Sequence, residues 1–153
     1  MADIRAGGCM CGVVRFEISR APALTLACHC RGCQRLSASA YSLSEMIPMS
    51  SFRLLAGEPV IGALQGPSRY LYCPCCLNWL FTRPAGFDDF IMVRAMMLDE
   101  VSDYSPFVET MTRDKLPWAS TPAVLSFDGF PDPNDFGDVL RAFAEHQASS
   151  ASL

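Results

Sequence analysis

The chain of 153 residues sets Lys+Arg 12 against Asp+Glu 16 for a formal net charge of -4, and half of it is hydrophobic. A chain of that length suits one domain that buries roughly 70% of its unfolded surface, and with no Lys/Arg run to neutralise a row of phosphates, nucleic acid is excluded as a main partner. The most apolar window, FIMVRAMML from Phe90 to Leu98, is broken by Arg94 and falls well short of the roughly 20 residues of a membrane helix, so no membrane partner is expected.

In chain order, MADIRAGGC has no apolar run behind Arg5, so it does not read as a signal peptide; AGGC resembles a lipoprotein cleavage box by accident, and the mature chain is expected to start near Met1. Without export the eight cysteines sit in a reducing, cytoplasmic compartment, where metal ligation or thiol chemistry outweighs a disulfide framework. The first strand is expected over Val13 to Ile18, where Val14, Phe16 and Ile18 share one face. Further strands are expected at Leu24–Cys28, Ser42–Ile47, Tyr70–Cys73, Trp79–Thr82 and Phe90–Met97. Turn signals at Ala56-Gly57-Glu58-Pro59, Gly66-Pro67 and Pro84-Ala85-Gly86 separate the later ones.

Two segments read as helical. Arg31 to Ser37 forms a short helix with Cys33 on its opening turn, and Phe136, Val139, Leu140, Phe143 and Ala144 give a helical stripe within about residues 134–147, capped by Asp132 or Asn134. That stripe packs against the sheet. A Ser/Ala tail from Ala148 to Leu153 follows, and no linker or repeat divides the chain.

The cysteines form three groups: Cys9-Met10-Cys11, Cys28-His29-Cys30-Arg31-Gly32-Cys33 and Cys73-Pro74-Cys75-Cys76. Extended C-x-C pairs and C-x-x-C turns each aim two sulfurs to one side, so every group is a partial metal shell. Joining Cys9 and Cys11 to Cys73 and Cys76 completes a tetrahedral, four-thiolate structural zinc site; Cys75 competes for the last place, but the C-x-x-C spacing favours Cys76. Cys28, Cys30 and Cys33 remain as three thiolates, the donor number of a catalytic zinc with one exchangeable position. A redox-active Cys30/Cys33 pair or three buried, inert cysteines are the competing readings.

GGCMCGVVRFEI, CHCRGCQRLSASAYS, YCPCCLNWLF, VRAMMLDE and KLPWAS together resemble the glutathione-dependent formaldehyde-activating enzyme family, which includes centromere protein V-like domains, from about Gly7 to Pro131. The resemblance implies a mainly β single domain, a β-tent of packed antiparallel sheets. It also implies two zinc ions per chain, one at Cys9, Cys11, Cys73 and Cys76 and one at Cys28, Cys30 and Cys33. Two departures stand out: Leu77 replaces a Gly that tolerates positive φ, and Ser37-Ala38-Ser39 replaces SGS.

The chemistry suggested is addition of a small thiol such as glutathione to formaldehyde, or the reverse carbon-sulfur lyase reaction, with Cys28, Cys30 and Cys33 as the catalytic centre. Arg31 and Arg35 flank that centre and suit an anionic thiol, with Gln34 and Tyr41 as hydrogen-bonding substrate contacts. His29, in extended backbone, points opposite to Cys28 and Cys30, so it is expected to bond behind the ligands or pack there. Trp79 and Trp118 are assigned to the core, a pocket wall being the alternative for Trp118, and His146 to the surface. A zinc-stapled binding module without catalysis is the second hypothesis, since a fold can host unrelated functions.

Overall fold

Alternating apolar residues on Val14, Phe16 and Ile18 need a partner face, and the structure supplies it: all three are fully buried. The computed structural model describes residues 3–63 and 66–150; the Met1 end and the last three residues of the Ser/Ala tail lie outside them. Within that span the chain is mainly β, with eleven strands and two α-helices. It divides into two compact units, residues 1–22 with 43–104 and residues 23–42 with 105–153.

In the first unit β1 (Arg5–Gly8) pairs antiparallel with β2 (Arg15–Ile18), and β2 with β5 (Phe52–Ala56). A second antiparallel set runs in the order β4 (Ser42–Pro48), β9 (Phe90–Arg94), β8 (Trp79–Arg83), β7 (Arg69–Tyr72), β6 (Val60–Gly62). Their buried faces meet in a core that includes Val14, Phe16, Ile18, Ile47, Leu80, Phe81, Ile91, Val93 and Leu98. Phe16, Phe52 and Phe81 form an aromatic triangle, with centroids 5.4, 6.3 and 5.1 Å apart, a geometry that adds to the burial of each ring. Gly7 faces this triangle. A Cβ there would lie 2.6 Å from the Phe16 ring and 2.5 Å from the Met97 carbonyl.

The strand expected over Phe90–Met97 stops at Arg94, and Ala95–Met97 form a 3-10 turn. Leaving the sheet there lets Leu98 enter the core and bridge to Gly7, and lets the Asp99 amide reach the Ala6 carbonyl at 2.9 Å.

In the second unit β10 (Val108–Thr110) lies between β3 (Leu24–Cys28) and β11 (Leu125–Ser126), and both pairs run parallel. The β10 to β11 connection, residues 111–124, has the dozen or more residues that a parallel crossover requires. The helix α1 (Arg31–Ser37) follows β3 directly, as its sequence implied. The helix α2 (Phe136–Ser150) begins two residues later than expected, because the Asp132 carboxylate accepts from the Asn134 amide in the turn before it. Its apolar stripe buries Val139 and Phe143, and the Phe143 ring packs 5.3 Å from Phe107. Ala144, at the stripe's margin, is exposed.

Truncating the centre of the aromatic triangle tests the first unit's core. Phe16→Ala is expected to cost about 3–5 kcal/mol, read as a lower denaturant midpoint with an unchanged slope.

Candidate metal centres and their surroundings

Two separate sets of sulfurs converge: Cys9, Cys11, Cys73 and Cys76 in the first unit, and Cys28, Cys30 and Cys33 in the second, each set with all its Sγ atoms within 4.8 Å of one another. Both sets could hold a metal ion, and their all-thiol chemistry suits zinc.

The four-sulfur set is built by two tight turns. Between β1 and β2, Gly12 at φ 79° lets the chain double back so that its amide reaches the Cys9 carbonyl, while the Val14 amide donates to Cys9 Sγ at 3.2 Å. Between β7 and β8, the Cys75 and Cys76 amides donate to Cys73 Sγ at 3.4 and 3.5 Å. Leu77 takes φ 59° to close this turn, the left-handed conformation that the Gly at this place in the family pattern would adopt without strain. Asn78 joins the turns, its Oδ1 accepting from the Met10 amide at 2.7 Å. Cys76 is the fourth sulfur, whereas Cys75 is exposed and outside the set.

These thiols cannot ionise together without a cation. Burial raises the Cys9 thiol, but the Val14 amide and the neighbouring thiols outweigh it and bring it down to about 6. Cys11 gains from the Val13 amide, yet desolvation and its sulfur neighbours push it up to about 12. Like charges at this spacing oppose one another, so a divalent ion is the natural completion of the set.

The three-sulfur set sits where β3 runs into α1. Cys28 ends the strand and is 6% exposed; Cys30 caps the helix, its sulfur accepting from the Cys33 amide at 3.3 Å. Hydrogen bonds from the Cys28 and Cys33 thiols hold Cys30 ionised, down to about 2, while Cys33 is pushed up by its bonds with Cys28 first and Cys30 second, and by burial. Cys28 is raised, first by its bond with Cys30. One thiolate is thus stabilised by two thiols, and ionising all three again calls for a cation.

Beside these cysteines lies a buried polar network of which the sequence indicated His29 alone. His29 is fully buried and stands outside the sulfur set; its amide donates to the Thr110 carbonyl at 3.0 Å, and its Nε2 lies 2.9 Å from Glu109 Oε2. Glu109 also accepts from Lys115 Nζ at 3.0 and 2.9 Å, from Thr121 Oγ1 at 2.9 Å and from Ser126 Oγ at 2.7 Å. Burial would raise this carboxyl; the Ser126, Lys115, His29 and Thr121 bonds prevail and hold it at about 2. The peptide between Cys28 and Cys30 is therefore fixed through both its backbone and its imidazole.

Gln34 completes the hold from the helix side. Its Nε2 donates to the His29 carbonyl at 2.7 Å and to the Asp114 carbonyl at 3.0 Å, and its Oε1 accepts from Arg31. Both amide N–H groups are used within the protein. Arg31, Gln34 and Arg35, at i, i+3 and i+4, line one cavity with Leu116 and Trp118, and no cysteine lines it. Cys33 projects from another side of the helix, because residues two apart do not face each other. Tyr41 is not on this cavity; its ring packs edge-on against His29 at 5.3 Å. Trp79 is buried as expected, but Trp118 is 75% exposed, so its core assignment gives way to the pocket wall. His146 is exposed, with its ring 5.1 Å from Phe107.

Two outcomes are expected. Cys76→Ser should remove metal-linked folding energy on the order of 10 kcal/mol and abolish the cooperative thermal transition seen by circular dichroism, whereas Cys75→Ser should leave it in place. Glu109 contributes stability that is complete above its ordinary pKa of 4.5 and is lost as pH falls toward about 2. The gap in denaturant midpoint between wild type and Glu109→Gln should therefore be constant from neutral pH down to that ordinary value and shrink below it.

No curated protein shows a significant match. A Rhodobacter sphaeroides protein of known crystal structure is similar in fold, with a TM-score of 0.54 at 18% identity over 64% of this chain and 91% of that one. Residues 4–114, which contain both sulfur sets, match the family described as glutathione-dependent formaldehyde-activating enzyme, and the chain belongs to that family.

Proposed function

We propose that the protein joins a small thiol to formaldehyde, forming S-hydroxymethylglutathione from glutathione or an equivalent adduct, and that it also runs the reverse, carbon-sulfur lyase reaction. The observation that carries this reading is the convergence of Cys28, Cys30 and Cys33 without a fourth protein donor among the described residues. A zinc ion on these three thiolates would supply the positive charge that keeps a substrate thiol ionised at neutral pH. A second zinc at Cys9, Cys11, Cys73 and Cys76 would be structural.

The balance is simple. Sulfur gives its lone pair to the carbonyl carbon, the carbonyl π bond moves to oxygen, and oxygen takes a proton to replace the one the thiol lost. Reversal breaks the carbon-sulfur bond and returns thiol and aldehyde. The chain's own part is to orient and attract. His29, Glu109 and Gln34 hold the ligand-bearing peptide, so Gln34 acts on the substrate through that peptide. Arg31 and Arg35 raise the local concentration of an anionic thiol. The Tyr41 hydroxyl, which makes no hydrogen bond among the described residues, is assigned to the substrate.

A reducing, cytoplasmic setting suits eight free cysteines. None of the described helices is long and apolar enough to cross a membrane.

Cobalt in place of zinc reports the reaction centre directly. Adding glutathione should change the thiolate charge-transfer absorption in wild type and not in Cys33→Ser, and exchange between glutathione and its hydroxymethyl adduct, followed by NMR, should outrun the reaction in buffer. An unchanged spectrum at millimolar thiol with exchange no faster than buffer would contradict catalysis and leave a zinc-stapled binding module.

A further inference from the structure

The cavity beside α1 has a composition at odds with the rest of the chain. In a protein of net charge -4, its lining gathers Arg31 and Arg35 with no carboxylate to balance them. Two like charges at i and i+4 destabilise a helix slightly, and Arg35 makes no side-chain hydrogen bond or ion pair among the described residues. Leu116 and the exposed Trp118 line the same cavity, a space of about 370 Å³.

Two guanidinium groups and an exposed indole on one cavity suit an organic carboxylate: the head accepts paired N–H bonds and the body covers the indole. We infer that this cavity is a carboxylate-binding subsite, set on a different face of α1 from Cys33 and served by Arg35 and Trp118. Gln34 links the two places, since it lines the cavity, holds Arg31 and bonds the carbonyl between Cys28 and Cys30. A carboxylate drawn to Arg31 therefore acts on the same side chain that fixes the sulfur-bearing peptide. Two sources share this chemistry: the remote end of a thiol substrate, or a separate dicarboxylate.

Binding here does not depend on turnover, so its failure and that of the proposed reaction are read separately. The chain has two tryptophans, and Trp79 is buried with its Nε1 bonded to Thr82, so a ligand at the cavity changes mainly Trp118 emission. The zinc-loaded protein would be titrated with S-methylglutathione, whose blocked sulfur cannot ionise, and separately with succinate. A saturable fluorescence change with either, absent in Trp118→Phe and about tenfold or more weaker in Arg35→Ala, supports the subsite. Response to S-methylglutathione alone assigns it to the substrate's far end, and response to succinate as well admits a sulfur-free carboxylate. No saturable change with either at millimolar concentration, or a change of undiminished affinity in Arg35→Ala, overturns it.

Discussion

Repulsion between crowded thiolates is the constraint on which the rest depends. Seven sulfurs are packed in two sets with spacings below 4.8 Å, and in neither can every member lose its proton while the others stay charged nearby. Cys9 and Cys11 show the conflict, one brought down to about 6 and the other pushed up to about 12. A divalent cation would resolve it, and the backbone around the four-sulfur set suits one. Gly12 and Leu77 accept left-handed conformations, and amides of Val14, Cys75 and Cys76 point at the sulfurs. Local backbone geometry is thus spent on a centre that a bound metal would stabilise.

The three-sulfur set is held by different means. Its peptide is anchored behind by His29 to a carboxylate with four side-chain partners, and in front by the doubly donating amide of Gln34. Such support fixes the direction of each donor, and no fourth His, Cys, Asp or Glu joins the set among the described residues. Arg31 and Arg35 stand exposed on the same helix, where the proposed function gives them the attraction of an anionic thiol.

Much of this was legible in the sequence because sulfur spacing and strand alternation are local signals. The grouping of Cys9 and Cys11 with Cys73 and Cys76, the strand Leu24–Cys28 and the helix Arg31–Ser37 all follow from residues near one another or from a fixed donor count. Glu109 was not legible: its partners His29, Lys115, Thr121 and Ser126 come from separate segments, and a charge in the three-residue strand Val108–Thr110 carries no periodicity. The strands β1, β5, β6, β10 and β11 were missed as well, four of them having four residues or fewer and β5 being mostly exposed, without a buried face to mark it. Trp118 was misplaced because an indole reads as core by default, whereas it lines an open cavity with Leu116 and residues of α1.

Metal stoichiometry tests the central claim most directly. Native mass spectrometry of protein purified under reducing conditions without chelator is predicted to show two zinc ions per chain, and one in Cys33→Ser with the fold retained. A folded, monodisperse chain carrying no metal would contradict the account.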